Sequence, residues 1–130
     1  MKTIVLFFVL ILGIFSHYFV ETGSVKGKIT ARGVRSPENV VVFLEHVEGE
    51  FKLPDKNPVM DQRNLVFIPH VLPVLVGTTV DFPNNDDVRH NVFSPSKAKK
   101  FNLGSYGPGI VPHMTFDKTG IVALLCNAHA

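Results

Sequence analysis

The chain has one cysteine, no tryptophan and no stretch of sustained helical periodicity after its first residues. A single thiol excludes an internal disulfide framework and any zinc or iron–sulfur site built from several cysteines. An excess of charge of one sign is also lacking, because 13 Lys and Arg stand against 11 Asp and Glu. The composition therefore excludes an electrostatic footprint for nucleic acid and favours one globular domain.

The N-terminal segment resembles a targeting sequence. A positively charged start precedes an apolar run from Thr3 to Phe15, which is the size of a secretory h-region. Small residues at Thr22–Ser24 offer a cleavage site, whereas residues 16–20 extend the apolar run to about 18 residues if no cleavage occurs. We expect residues 1–24 to be a signal peptide or an N-terminal membrane anchor, and the protein to be exported to the periplasm or the extracellular space.

The remaining sequence alternates between short strand patterns and turn residues. The predicted strands are Val25–Thr30, Asn39–Leu44, Asn64–Ile68, Leu75–Phe82, His90–Phe93, Val111–Phe116 and Ile121–Cys126. The continuous β-branched run in 39–44 predicts a core strand buried on both faces, and the turn-rich residues 48–63 predict a flap or a tolerated insertion. Residues 25–130 are therefore predicted to form an all-β domain, an antiparallel Greek-key β-sandwich or barrel.

Two stretches carry residues suited to metal chemistry. An acidic turn ends in His90-Asn91, and the last predicted strand ends in Cys126-Asn127-Ala128-His129. A Cys and a His three residues apart on a turn can face one ion, and a His from a neighbouring loop adds a second imidazole. One thiolate with two imidazoles and a weak axial ligand suits copper, because this geometry is a compromise between its two oxidation states.

These residues resemble the cupredoxins, the small blue copper proteins related to plastocyanin and amicyanin. The resemblance covers residues 64–130: a Gly-Thr-Thr-Val-Asp-Phe strand, an Asn-rich turn, His-Asn, a Phe-Asp-Lys-Thr-Gly turn and Cys-x-x-His. It implies one copper ion, Cu(I) or Cu(II), bound by His90, Cys126 and His129 in a type 1 centre. It also implies that Asn91 ties the two ligand loops together and offers its backbone N–H to the thiolate. The implied function is one-electron transfer between redox partner proteins, without enzymatic activity.

One departure from the family concerns the C-terminal end. The family has an axial Met a few residues beyond the second His and a further strand, whereas this sequence ends at Ala130 and no Met occupies that position. We expect 25–130 to be a C-terminally incomplete cupredoxin-like domain. The alternative is that the fourth copper position goes to water, to the Ala130 carboxylate or to nothing, and that the sandwich has an open edge where the last strand belongs.

Other functions and residues remain open at this stage. A site without its axial ligand is also consistent with copper storage or delivery, and a metal-free β-sandwich binding module is a further alternative. A cysteine-nucleophile enzyme is disfavoured because no third orienting group is recognisable. His70 is predicted as a strand-end residue, with a metal-site role as the alternative. Lys97, Lys99 and Lys100 form a solvated basic cluster, or a docking patch for an acidic redox partner.

Overall fold

The computed structural model describes residues 23–30, 32–33 and 38–128 of a chain that divides into two units, Met1–Thr30 and Ala31–Ala130. The predicted signal or anchor segment up to residue 22, and the predicted ligand His129, lie outside the described residues. No helix within these described ranges has the length and apolar character needed to cross a bilayer.

Residues 23–30, the described part of the first unit, are exposed and form no strand. The predicted strand Val25–Thr30 is therefore wrong. Its period-two pattern has no ladder partner in the described residues, and Val25 is 91% exposed. A strand is held by hydrogen bonds to a neighbouring strand, which the alternation of side chains alone does not supply.

The second unit contains six described strands. They are β1 (Asp61–Arg63), β2 (Val66–Ile68), β3 (Thr78–Asp81), β4 (His90–Ser94), β5 (Phe101–Tyr106) and β6 (His113–Phe116). All three pairings, β1–β2, β3–β6 and β4–β5, are antiparallel. With no helix among the described residues, the prediction of an all-β antiparallel fold is confirmed.

Isolated backbone hydrogen bonds extend two of these pairs. On the side of β3 away from β6, Met60 N–H donates to Asp81 O at 2.9 Å, and Asp81 N–H donates to Pro58 O at 2.9 Å. Beside β4, Phe93 and Leu125 exchange two hydrogen bonds of 3.0 and 2.9 Å. Strand β3 therefore lies between β6 and residues 58–60, which lead into β1, and β4 lies between β5 and the segment around Leu125.

One apolar core joins the β3–β6 and β4–β5 pairs. Its buried members are Met60, Val80, Phe82, Val92 and Tyr106. Val80 and Phe82 point to the same side because side chains alternate along a strand, and Phe82 and Val92 are both fully buried. This packing fixes the position of β4, at whose first residue the candidate site begins.

The predicted core strand Asn39–Leu44 is also wrong. The segment has no regular structure, and Val42, Phe43 and Leu44 are 72–75% exposed. Residues 40–42 border a shallow groove of about 350 Å³ whose other wall includes Pro69 and Pro73. Proline has no backbone N–H. The segment with Pro69 and Pro73 is therefore poorly suited to donate the hydrogen bonds of a strand pair, and the β-branched residues 40–42 stay unpaired.

Other boundaries differ where turn residues misled the prediction. Strand β1 lies inside the stretch predicted as a flap or an insertion. The sequence predicts no strand over β5, where Asn102, Gly104 and Ser105 are residue types that are common in turns. Gly104 adopts a φ of 73° within β5, which glycine accepts without steric cost. The predicted last strand, 121–126, contributes only the Leu125 bridge to β4.

Candidate metal centre

His90 and Cys126 are neighbours in the folded chain. His90 begins β4 and is fully buried, and its Nδ1 lies 3.8 Å from Cys126 Sγ. The proximity follows from the fold, because the Phe93–Leu125 hydrogen bonds hold the following residue, Cys126, beside the start of β4. The half-buried thiol and the buried imidazole therefore face each other across two segments that are distant in sequence.

The second ring nitrogen of His90 contacts a carboxylate. Nε2 lies 2.8 Å from Asp86 Oδ2, four residues earlier in the acidic turn. The backbone N–H of Leu65, followed by bonds from His90 and Asn64, holds the pKa of Asp86 below its usual value. An ionised carboxylate only accepts hydrogen bonds. A neutral imidazole has one N–H group, so a neutral His90 that donates to this carboxylate from Nε2 would turn its Nδ1 lone pair towards Cys126.

Asn91 contacts the sulfur through its backbone. Its N–H donates to Cys126 Sγ at 3.4 Å. Its side-chain Nδ2 donates to Asn102 Oδ1 at 2.8 Å and to Gly104 O at 3.1 Å, so within the described residues the amide group ties β4 to β5. The resemblance implies a backbone contact of Asn91 with the thiolate and a link between the two ligand loops; the side-chain partners that the structure gives to Asn91 lie on β5.

A buried polar layer lies next to this pair. Tyr106 is the β5 partner of His90, and its hydroxyl accepts a hydrogen bond of 2.5 Å from Gln62 Nε2. Burial, with a contribution from nearby Cys126, raises the pKa of Tyr106 above its usual value. Fully buried Asn84 accepts a hydrogen bond from Asp86 N–H through Oδ1 and donates to Val88 O through Nδ2. The buried Asn84 side chain therefore holds the turn that carries Asp86 through two hydrogen bonds.

The His90–Cys126 separation fits both a direct thiol–imidazole contact and a shared metal ion. An ion of zinc's size binds imidazole nitrogen at about 2.0 Å and thiolate sulfur at about 2.3 Å. If these two bonds lie at the trigonal angle, nitrogen and sulfur are about 3.7 Å apart by the same bond lengths. The observed 3.8 Å matches this separation.

The structure brings together two of the three predicted ligands. Within residues 23–30, 32–33 and 38–128, no group of three or more His, Cys, Asp or Glu side chains is placed to hold a metal ion. His129 lies outside these ranges. His70 is exposed in the bend that follows β2. The sequence interpretation did not identify the contact of Asp86 with His90, although the Asp lies only four residues before the His.

Comparison with known proteins gives one informative similarity. A scan against protein-family models and a search of curated proteins find no match. Among solved structures, the chain is similar to a copper-containing nitrite reductase from Thermus scotoductus SA-01, with a TM-score of 0.54 and 27% sequence identity. The alignment covers 65% of this chain and 22% of that chain, so this sequence matches about a fifth of the reductase. The fold of this chain is cupredoxin-like.

Proposed function

We propose that this protein binds one copper ion through His90, Cys126 and His129 in a type 1 centre and carries single electrons between redox partner proteins. The observation that carries the proposal is the 3.8 Å approach of His90 Nδ1 to Cys126 Sγ. Both atoms are of the kinds that copper prefers in such centres. The similarity to a copper-containing protein supports the choice of metal.

The chain's own residues would keep the site from rearranging. When bound, copper supplies the Cu(I)/Cu(II) couple. His90 is fully buried and held by Asp86 at its far nitrogen, so its ring has little freedom to turn. The Asn91 N–H points at the sulfur and would stabilise negative charge on a Cys126 thiolate. Such fixed partners favour electron transfer, because a rigid ligand set reorganises little when the charge changes.

The proposal includes no catalytic step. The protein would convert no substrate, and its partners would be other redox proteins reached after export. Of the three lysines in the basic cluster, Lys99 is paired with Asp117 at 2.8 Å. This ion pair lowers the positive charge of that face, so the cluster is a weak candidate for docking an acidic partner.

The decisive experiment is titration of the purified protein with Cu(II), followed by visible spectroscopy, calorimetry and voltammetry. We expect one equivalent to bind, an intense thiolate-to-copper absorption band and reversible one-electron reduction. Cys126→Ser and His90→Ala should each abolish stoichiometric binding to the folded protein. His129→Ala should abolish the absorption band. His46→Ala is the control, because this exposed residue lies outside the site.

Each alternative result has a distinct meaning. Tight copper binding without reversible reduction would replace electron transfer by copper storage or delivery. No binding by the wild-type protein would leave a metal-free β-sandwich module. Unchanged affinity in Cys126→Ser or His90→Ala would refute the ligand assignment.

A further inference from the structure

The Asp86 carboxylate is shared between His90 and a distant hairpin turn. Its Oδ2 lies 2.8 Å from His90 Nε2 and accepts a hydrogen bond of 3.0 Å from Leu65 N–H. Its Oδ1 accepts a hydrogen bond of 2.6 Å from Asn64 N–H. The side chain is only 13% exposed. Three donors thus converge on one carboxylate, and one of them is the histidine that faces Cys126.

The turn that holds Asp86 has an unusual backbone. Asn64 and Leu65 connect β1 to β2 and both have positive φ values, 55° and 62°. Asn tolerates this region, but a residue such as Leu rarely enters it. Positive φ at both positions is what a two-residue hairpin loop between the paired residues Arg63 and Val66 requires, and both backbone N–H groups of the loop meet the carboxylate of Asp86. The turn therefore presents two adjacent backbone N–H groups to one carboxylate.

We propose that Asp86 is a positioning residue of the centre: anchored by the Asn64–Leu65 turn, it holds the His90 ring with Nε2 protonated and Nδ1 presented to the metal. This inference rests on the proposed function, because it takes His90 as a ligand. Metal-binding histidines commonly donate their other N–H to a carboxylate, which fixes the tautomer and makes the ring a stronger electron donor. The hairpin β1–β2 would thereby take part in the site without supplying a ligand.

Asp86→Asn tests this role with little change in size. An amide can accept at one atom only, so it cannot satisfy three donors. With its oxygen towards His90, its NH2 group opposes the Asn64 N–H. With its NH2 group towards His90, the ring must place its proton on Nδ1, where it blocks metal binding. Asp87→Asn is the matched control, since it makes the same charge change at the adjacent, exposed residue.

The first measurement uses metal-free protein. Nitrogen-15 NMR of the wild type and of Asp87→Asn should show His90 with its proton on Nε2, and Asp86→Asn should show loss of this preference. The wild-type spectrum is a test by itself, and it does not depend on how the variant folds. A wild-type His90 that carries its proton on Nδ1 would overturn the proposal.

The second measurement uses copper. Asp86→Asn should lower Cu(II) affinity by about 10- to 100-fold, the usual loss for such partners, and should raise the reduction potential, because a weaker donor favours Cu(I). Asp87→Asn should leave both unchanged. If wild-type protein binds copper and Asp86→Asn matches it in affinity and potential, Asp86 has no positioning role while the proposed function stands. If the wild type binds no copper, the proposed function fails, and the role of Asp86 fails with it, even where NMR shows the expected tautomer.

Discussion

The Gln62–Tyr106 hydrogen bond gives a quantitative prediction for the metal-free protein. The two side chains are 2% and 6% exposed, and their 2.5 Å bond joins β1 to β5. Tyr106→Phe removes one oxygen and leaves the Gln62 amide without this partner in a site closed to water. A buried polar group that loses its hydrogen bond typically costs about 1–3 kcal/mol. We therefore expect the free energy of unfolding to fall by that amount.

The double variant distinguishes the contribution of the hydrogen bond from the cost of leaving one buried partner without it. Replacing both partners by apolar groups of similar shape is often close to neutral, so Gln62→Leu with Tyr106→Phe should lose less stability than the sum of the two single variants. Urea unfolding of all four proteins gives the coupling free energy. Thr79→Val is the control, because its 2.8 Å bond to Thr115 is exposed and should contribute little. Additive single and double variants would refute the reasoning.

Three further predictions concern stability. Burial raises the pKa of Tyr106 above its usual value of 10.0. The contribution of Tyr106 to stability is therefore complete below about pH 10 and is lost as the pH rises through the higher pKa of the folded state. In urea melts at high pH the wild type should lose more stability than Tyr106→Phe, and equal losses would contradict this. Phe82→Ala empties a fully buried position and should cost about 3–5 kcal/mol in unfolding free energy; a loss below about 1 kcal/mol would contradict this packing. Gly120→Ala should lower the melting temperature more than Gly107→Ala, because Gly120 has a φ of 139° and an added Cβ would lie 2.8 Å from Ala98 Cβ; equal melting temperatures would contradict this.

The sequence predicts a strand well where burial and pairing coincide. Along β3 and the residue that follows it, Val80 and Phe82 are buried in the core and Asp81 is not, so the alternation of apolar and polar residues predicts this strand. The run in residues 40–44 is more apolar, yet it forms no strand, because hydropathy does not report whether a neighbouring segment can donate a ladder. Strand β5 shows the converse case, since Phe101 and Tyr106 pack inward although Gly104 lies between them.

Some residues of the candidate site can likewise be predicted from the sequence, and others cannot. Cys126 is recognisable as a candidate ligand from the sequence because it is the one cysteine, and His90 because it follows an acidic turn and precedes Asn91 at the start of a predicted strand. The contact of Asp86 with His90 arises from the shape of an irregular turn, for which no side-chain period exists. The donors at residues 64 and 65 are backbone groups, and every residue except proline has such a group. No pattern of residue types could have indicated that these two would meet a carboxylate.

The origin of the site in tertiary structure explains why ligand geometry and stability should be linked. The thiol and the imidazole belong to residues 36 positions apart, and closing a loop of that length costs conformational entropy. Here the loss of conformational entropy occurs on folding, and it is offset by the backbone hydrogen bonds between Phe93 and Leu125 and by those of the turn that holds Asp86. A ligand that binds this folded pair and not the unfolded chain must stabilise the fold, by about 2.7 kcal/mol at a free concentration one hundred times its Kd. The stabilisation therefore depends on how tightly the folded pair binds the ligand and on how little the unfolded chain binds it.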